Sequence, residues 1–187
     1  VIFGIASTFA NKQNIKKLTE YASNIEGIVS EDRIDISKDN DGCYVITTDR
    51  DLKILQITDI HIGGGWMTQK DDLRTVKTVA TMVLEEKPDI VFATGDISYP
   101  VPFLAGTFNN LYAAEIFATL MEALDVYWIP TFGNHDSEIY SNYNRHEVGD
   151  FYEREEWKNC LFQKGDESID GVSNSIIKVK NSEGIMT

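Results

Sequence analysis

Nowhere does the 187-residue chain approach the run of about 18 apolar residues that a membrane span needs. Clusters of lysine and arginine are missing too. Lys and Arg number 17 against 30 Asp and Glu, a formal net charge of -13 at pH 7, and no basic patch interrupts that acidity. This argues against a nucleic-acid backbone as the main partner. No internal repeat or low-complexity tract is visible beyond a recurring βα pattern. Cysteine is scarce: Cys43 and Cys160 are the only two, at a spacing that fits no metal knuckle. They can form one disulfide in an oxidising compartment or remain buried thiols. Histidine is scarce as well, at three residues.

What is present suits one domain with a sizeable core, at 42% hydrophobic and 11% aromatic residues. Residues 1–10 (Val-Ile-Phe-Gly-Ile-Ala-Ser-Thr-Phe-Ala) read either as the tail of a signal-peptide core or membrane anchor, or as a short buried strand. The first reading implies an anchor upstream of residue 1 and an extracytoplasmic or membrane-anchored protein. Residues 11–27 carry Ile15, Leu18, Ala22 and Ile25 at helical spacing, with Gly27 as the stop. Residues 30–42 are polar and Asp-rich, a linker or exposed excursion. We therefore divide the chain into a tail with an amphipathic helix, residues 1–31, and a domain, residues 32–187, that is incomplete at its C-terminus. Residues 43–48 read as a strand joined through Asp49-Arg50-Asp51 to a strand beginning at Leu52, an antiparallel pair at a sheet edge.

From there the pattern is regular. Residues 69–86 place Leu73, Val76, Val79, Ala80 and Val83 on one helical face, closed by Pro88 before a strand at Asp89. Residues 111–124 do the same with Leu111, Ala114, Phe117, Leu120, Met121 and Leu124 before a strand at Val126. Strand, helix, strand, helix, strand is the signature of βαβ units and a parallel sheet, so the fold class is α/β. Ligands of such sheets bind beyond the carboxyl ends of the strands. Further on, residues 147–159 read as a helix, residues 174–180 alternate like a strand, and residues 185–187 begin another after a turn.

The three strand ends carry the chemistry. Residues 54–61 run into Asp59-Ile60-His61, residues 89–96 into Thr94-Gly95-Asp96, and residues 126–136 into Gly133-Asn134-His135-Asp136. A carboxylate and an imidazole in one turn can ligate one cation, a carboxylate after glycine can bridge two, and the third motif adds a carbonyl oxygen and a second imidazole. Asp59 to Asp96 spans 37 residues and Asp96 to Asn134 spans 38, one helix-and-strand crossover each.

Together the three motifs resemble the calcineurin-like metallophosphoesterase superfamily over about residues 52–180. The resemblance implies a partial four-layer αββα sandwich built from βαβ units. It implies hydrolysis of phosphomonoesters or phosphodiesters by a hydroxide bridging two cations of Mn, Fe or Zn type, with a small phosphorylated substrate as partner. Asp59 and His61 are then ligands of the first metal, Asp96 the bridge and Asn134 a ligand of the second. His135 is the catalytic residue, near the scissile phosphate and not metal-bound.

The chain departs from the pattern in two places. The family draws its remaining metal ligands from two later histidine motifs, and the third histidine here, His146, sits in a polar loop where a surface role is expected. A second reading follows: a non-catalytic fragment or degenerate binding module that keeps part of the fold. In the second motif, Gly95-Asp96-Ile97-Ser98-Tyr99 lacks the Asp that orients the catalytic histidine of protein Ser/Thr phosphatases. It resembles instead the purple acid phosphatases, whose Tyr binds ferric iron, although His61 already occupies that ligand position. Tyr99 is assigned to the loop rather than the metal. Gly63-Gly64-Gly65-Trp66 reads as a flexible loop with an anchoring aromatic, or as a phosphate entry with Trp66 stacked on a leaving group.

Overall fold

In the computed structural model, which describes residues 2–29 and 32–186, the chain opens with helix α1 (Ile2–Ser23). It is continuous over residues 2–10, so the strand reading is corrected there; residue 1 lies outside the described residues. Ile15, Leu18 and Ala22 are buried on its inner face, as their spacing predicts. The helix ends at Ser23, short of the expected stop at Gly27. Among the described residues no helix is long and apolar enough to cross a membrane.

The segment read as a linker contains strand β1 (Asp35–Lys38), which pairs antiparallel with β2 (Tyr44–Thr47); residues 30 and 31, where that segment begins and where the domain boundary was drawn, lie outside the described residues. Local polarity hid β1 because only Ile36, paired with Ile46, points into the core. The expected antiparallel pair of β2 with β3 (Ile54–Ile57) does not form: β2 pairs on its other side with β6 (Ile177–Lys180), in parallel, and β3 belongs to a second sheet. The connection between them is held open by Arg50. Its guanidinium pairs with Asp32 at 2.8 Å and with both carboxylate oxygens of Asp89 at 2.7 and 2.8 Å. That bidentate grip ties the connection to the start of the next strand rather than to a tight turn.

The second sheet is the expected parallel one, in the order β3, β4 (Ile90–Thr94), β5 (Tyr127–Thr131). Its crossovers run through α2 (Gln69–Glu86) and α4 (Leu111–Ala123), while the four-residue helix α3 (Pro102–Ala105), not foreseen, punctuates the β4–α4 loop. Helix α5 (Arg145–Tyr152) starts two residues earlier than expected, where Asn144 and Glu147 form a reciprocal capping box, and ends well before residue 159.

Each face of the parallel sheet has its own apolar cover. Val91, Ala93 and Trp128 point into the core formed with α1, α2 and α4. Ile90, Phe92, Tyr127 and Ile129 turn the other way, against Ile46, Ile177 and Val179 of the β1-β2-β6 sheet. Helices, sheet and sheet are three layers of a partial four-layer αββα sandwich, and they account for the near-continuous apolar run of β4. Beyond β6, Met186 bridges antiparallel to Lys180, the start of the expected hairpin; Thr187 lies outside the described residues. Cys43 and Cys160 are both free thiols, and burial pushes the Cys160 thiol well up.

Candidate metal centre

Because the three strands are parallel, their carboxyl ends emerge on one edge, and because β4 is the middle strand its motif lies between the other two. The loops are stitched together by backbone bonds: Asp59 N donates to Gly95 O (3.2 Å), His61 N to Asp96 O (2.9 Å) and Ile62 N to Ile97 O (2.9 Å). Asp59, His61 and Asp96 all hold left-handed backbone conformations, with φ of 54°, 52° and 54°. Few non-glycine residues do so, at a cost of roughly 1–2 kcal/mol each. Three such residues in two adjacent loops mark a region where backbone strain is maintained by its surroundings.

The side chains converge. His61, Asp96 and His135 each offer a ligand atom within 4.8 Å of the others. His61 Nε2 lies 3.8 Å from Asp96 Oδ2 and 3.8 Å from Asp59 Oδ1. Ligand bonds to a cation of this kind are about 2.0–2.2 Å, so two atoms on one ion stand at most roughly 4.4 Å apart. Both 3.8 Å separations meet that limit, and mixed oxygen and imidazole donors suit a borderline divalent ion. Asp59 is largely exposed, with Thr58 Oγ1 donating to its Oδ2. Asn134 is exposed at the start of the 3-10 turn His135–Ser137. His146 is exposed on the first turn of α5, outside the convergent group, in a cleft with Cys43 and Glu153.

Asp96 is the best fixed of these groups. Its Oδ1 accepts the backbone N–H of His135 at 2.8 Å, leaving Oδ2 turned toward His61, and the side chain is only 11% exposed. Its own N–H donates to Asp136 Oδ2 (2.8 Å), which also accepts from Gly133 N (2.8 Å), while Asp136 Oδ1 accepts from Ser98 N (2.9 Å). Asp136, quoted in the third motif without a role, is thus the buried tie between the second and third loops. Burial pushes its carboxyl above the usual carboxylate range, against the pull of those amides. Asn110, fully buried, donates to the carbonyls of Asp136 and Tyr143.

Two further groups escaped sequence reasoning. Glu138 Oε1 lies 2.8 Å from His135 Nδ1, a carboxylate in reach of the imidazole although the second motif lacks the Asp seen in the protein Ser/Thr phosphatases. The signal was present as an acid three residues beyond the histidine. Asp72, buried at the start of α2, accepts the N–H groups of Gly63 and Gly64 at 2.9 and 3.0 Å and the Thr68 hydroxyl at 2.8 Å. Burial raises its carboxyl too. The glycine loop is therefore pinned rather than flexible, with Trp66 half-exposed at its end. Tyr99 packs its ring on His61 at 4.9 Å and edge-on to His135 at 4.7 Å.

The close approach of the loops requires glycine at 133. A Cβ there would stand 2.2 Å from Asp96 Oδ1. Gly133→Ala is therefore expected to displace the Asp96 carboxylate and to cost about 1–3 kcal/mol, read by urea denaturation. A neutral result would show that Asp96 is not confined there.

A family model described as calcineurin-like phosphoesterase matches residues 52–183. Three curated proteins of Arabidopsis thaliana are similar to the chain. "Probable inactive purple acid phosphatase 28" is 29% identical over 158 residues, 73% of this chain and 38% of that protein. "Probable inactive purple acid phosphatase 29" is 30% identical over 111 residues (52% and 26%), and "Probable inactive purple acid phosphatase 14" is 31% identical over 102 residues (49% and 25%). The chain spans between a quarter and two-fifths of the length of these relatives. No solved structure matches it.

Proposed function

The chain belongs to the calcineurin-like phosphoesterase family, and on that premise we propose that the three loops form a metal-dependent site for hydrolysis of phosphomonoesters or phosphodiesters. The observation that carries the reading is the Asp96 carboxylate. It sits at the end of the middle strand, in a left-handed conformation, with one oxygen occupied by the His135 amide and the other turned to His61. Asp59, His61 and Asp96 are the residues that would hold one cation, and Asp96 with Asn134 a second. Cations held there would supply acidification of a water for attack on phosphorus and neutralisation of charge on the phosphoryl oxygens.

His135 acts on the substrate side. Glu138 Oε1, 2.8 Å from Nδ1, would accept a proton carried there and hold the ring's orientation, leaving Nε2 to face the substrate. The imidazolium form can protonate the leaving alkoxide, and either form steadies the group in place. Tyr99, packed against both imidazoles, limits their rotation.

The test is equilibration of the chain with Mn, Fe and Zn, elemental analysis, and assay with 4-nitrophenyl phosphate and bis(4-nitrophenyl) phosphate. At least one tightly bound ion per chain is expected, and none would reject the metal reading. His135→Ala is expected to keep the metal content and slow hydrolysis by about 10²–10⁴-fold. Loss of metal in that variant would make His135 a ligand.

Two observations favour the second reading, a non-catalytic fragment or degenerate binding module. The names of the three relatives carry the word "inactive", and of the three histidines only His61 and His135 reach the convergent group. Bound metal without hydrolysis of either ester would select it.

A further inference from the structure

Helix α1 lies outside the stretch that matches the family, yet two of its polar side chains are buried against the loop that follows His61. Asn14 Nδ2 donates to Gly65 O at 2.7 Å. Asn11 Oδ1 accepts the N–H of Trp66 at 2.8 Å, and its Nδ2 donates to Gly106 O at 3.0 Å. The two loops touch: Met67 N donates to Ala105 O (3.2 Å), and a Cβ on Gly65 would fall 1.8 Å from that same oxygen. We propose that α1 is a clamp, acting through Asn11 and Asn14, that fixes the backbone path of the Gly63–Trp66 loop and with it the position of His61.

The connection to His61 is short and continuous. The amides of His61 and Ile62 are bonded to the second motif, those of Gly63 and Gly64 to Asp72, and that of Trp66 to Asn11. A glycine run has no side chains with which to hold itself, so its path depends on these outside groups. Two of its anchors come from α1 and the rest from the domain. Asn14 is 3% exposed, and its Oδ1 has no hydrogen-bond partner among the described residues. A buried amide that leaves its acceptor unmatched is a poor choice for stability alone. It suits a residue kept for the one bond it makes to Gly65.

The clamp is tested by hydrogen exchange in the intact, metal-free chain, comparing wild type with Asn11→Ala/Asn14→Leu. A core-cavity variant remote from the loop, Val83→Ala, serves as the stability control. The double variant is expected to exchange the His61 to Gly64 amides, none of them bonded to α1, about tenfold faster, while β4 amides keep their protection. Asn14→Leu alone, which removes the unmatched oxygen, is expected to leave the melting temperature near that of wild type while still loosening the loop. Unchanged exchange at residues 61–64, or a rise no larger than in β4 or in Val83→Ala, would overturn the proposal. The link to ligation rests on the metal reading and has its own arm, Mn titration by calorimetry, where the double variant should bind about tenfold more weakly. Equal affinity in wild type and variant would overturn that link. If wild type binds none of Mn, Fe and Zn, the metal reading fails and the exchange result alone decides the clamp.

Discussion

Asp96→Asn is expected to lower Mn or Zn affinity by at least about 10²-fold and to remove metal-dependent hydrolysis in a longer form of the protein that has it. The substitution is chosen because asparagine tolerates the left-handed backbone at this position, where φ is 54°. Its side-chain oxygen can still accept the His135 amide that Asp96 Oδ1 now holds at 2.8 Å. Shape and loop closure are kept, and what is lost is the negative charge and the second ligand oxygen facing His61. The metal-free protein should meanwhile be no less stable than wild type. Asp59, Asp96 and the buried Asp136 gather negative charge on this edge, and removing one member relieves repulsion on the order of 1 kcal/mol. Calorimetric titration and a melting curve recorded in chelator read the two effects separately. Metal affinity within a few-fold of wild type would sink Asp96 as the central ligand, and a sharp drop in melting temperature would recast it as a structural residue.

That opposition between ligand chemistry and stability was only half legible in the sequence. The parallel sheet and its two crossover helices followed from periodicity, and α2 has the bounds its apolar spacing predicts, because a half-buried helix must repeat its apolar face. The convergence of Asp59, His61, Asp96 and His135 followed from their placement at strand ends. The left-handed backbone at three of them did not, since nothing in Asp-x-His or Gly-Asp specifies φ. Nor did β1, whose Asp-Ile-Ser-Lys composition points one apolar side chain inward and leaves three residues polar. The tie through Asp136 was hidden for another reason. The sequence places this carboxylate in the third motif and gives it no role, and only the structure shows its oxygens filled by three backbone amides. Asn11 and Asn14 were invisible because they interrupt an apolar face, and periodicity analysis treats an interruption as noise.

Asp136→Ala is expected to destabilise the protein by about 3–5 kcal/mol, the second large effect, because it strands the amides of Asp96, Ser98 and Gly133 in a buried site. Against a total stability of roughly 5–15 kcal/mol that is a severe loss. Asp136→Asn should cost less, about 1–3 kcal/mol. Its carbonyl can replace Oδ2, which receives two of the amides, while its NH2 must face Ser98 N–H. The pH dependence separates carboxylate from amide. Burial raises the folded-state pKa of Asp136 above its unfolded value, so the folded protein binds the proton more tightly. Its contribution to stability is therefore fully present below the unfolded value, near 3.9, and is lost as pH rises through the folded one. In chelator, the stability advantage of wild type over Asp136→Asn should narrow as pH rises through that window and then level off. Urea denaturation of both proteins at a series of pH values measures the gap. A gap that widens with pH would mean that the three amides outweigh burial and hold the carboxylate ionised, in which case Asp136 stabilises the loops by its charge rather than in spite of it.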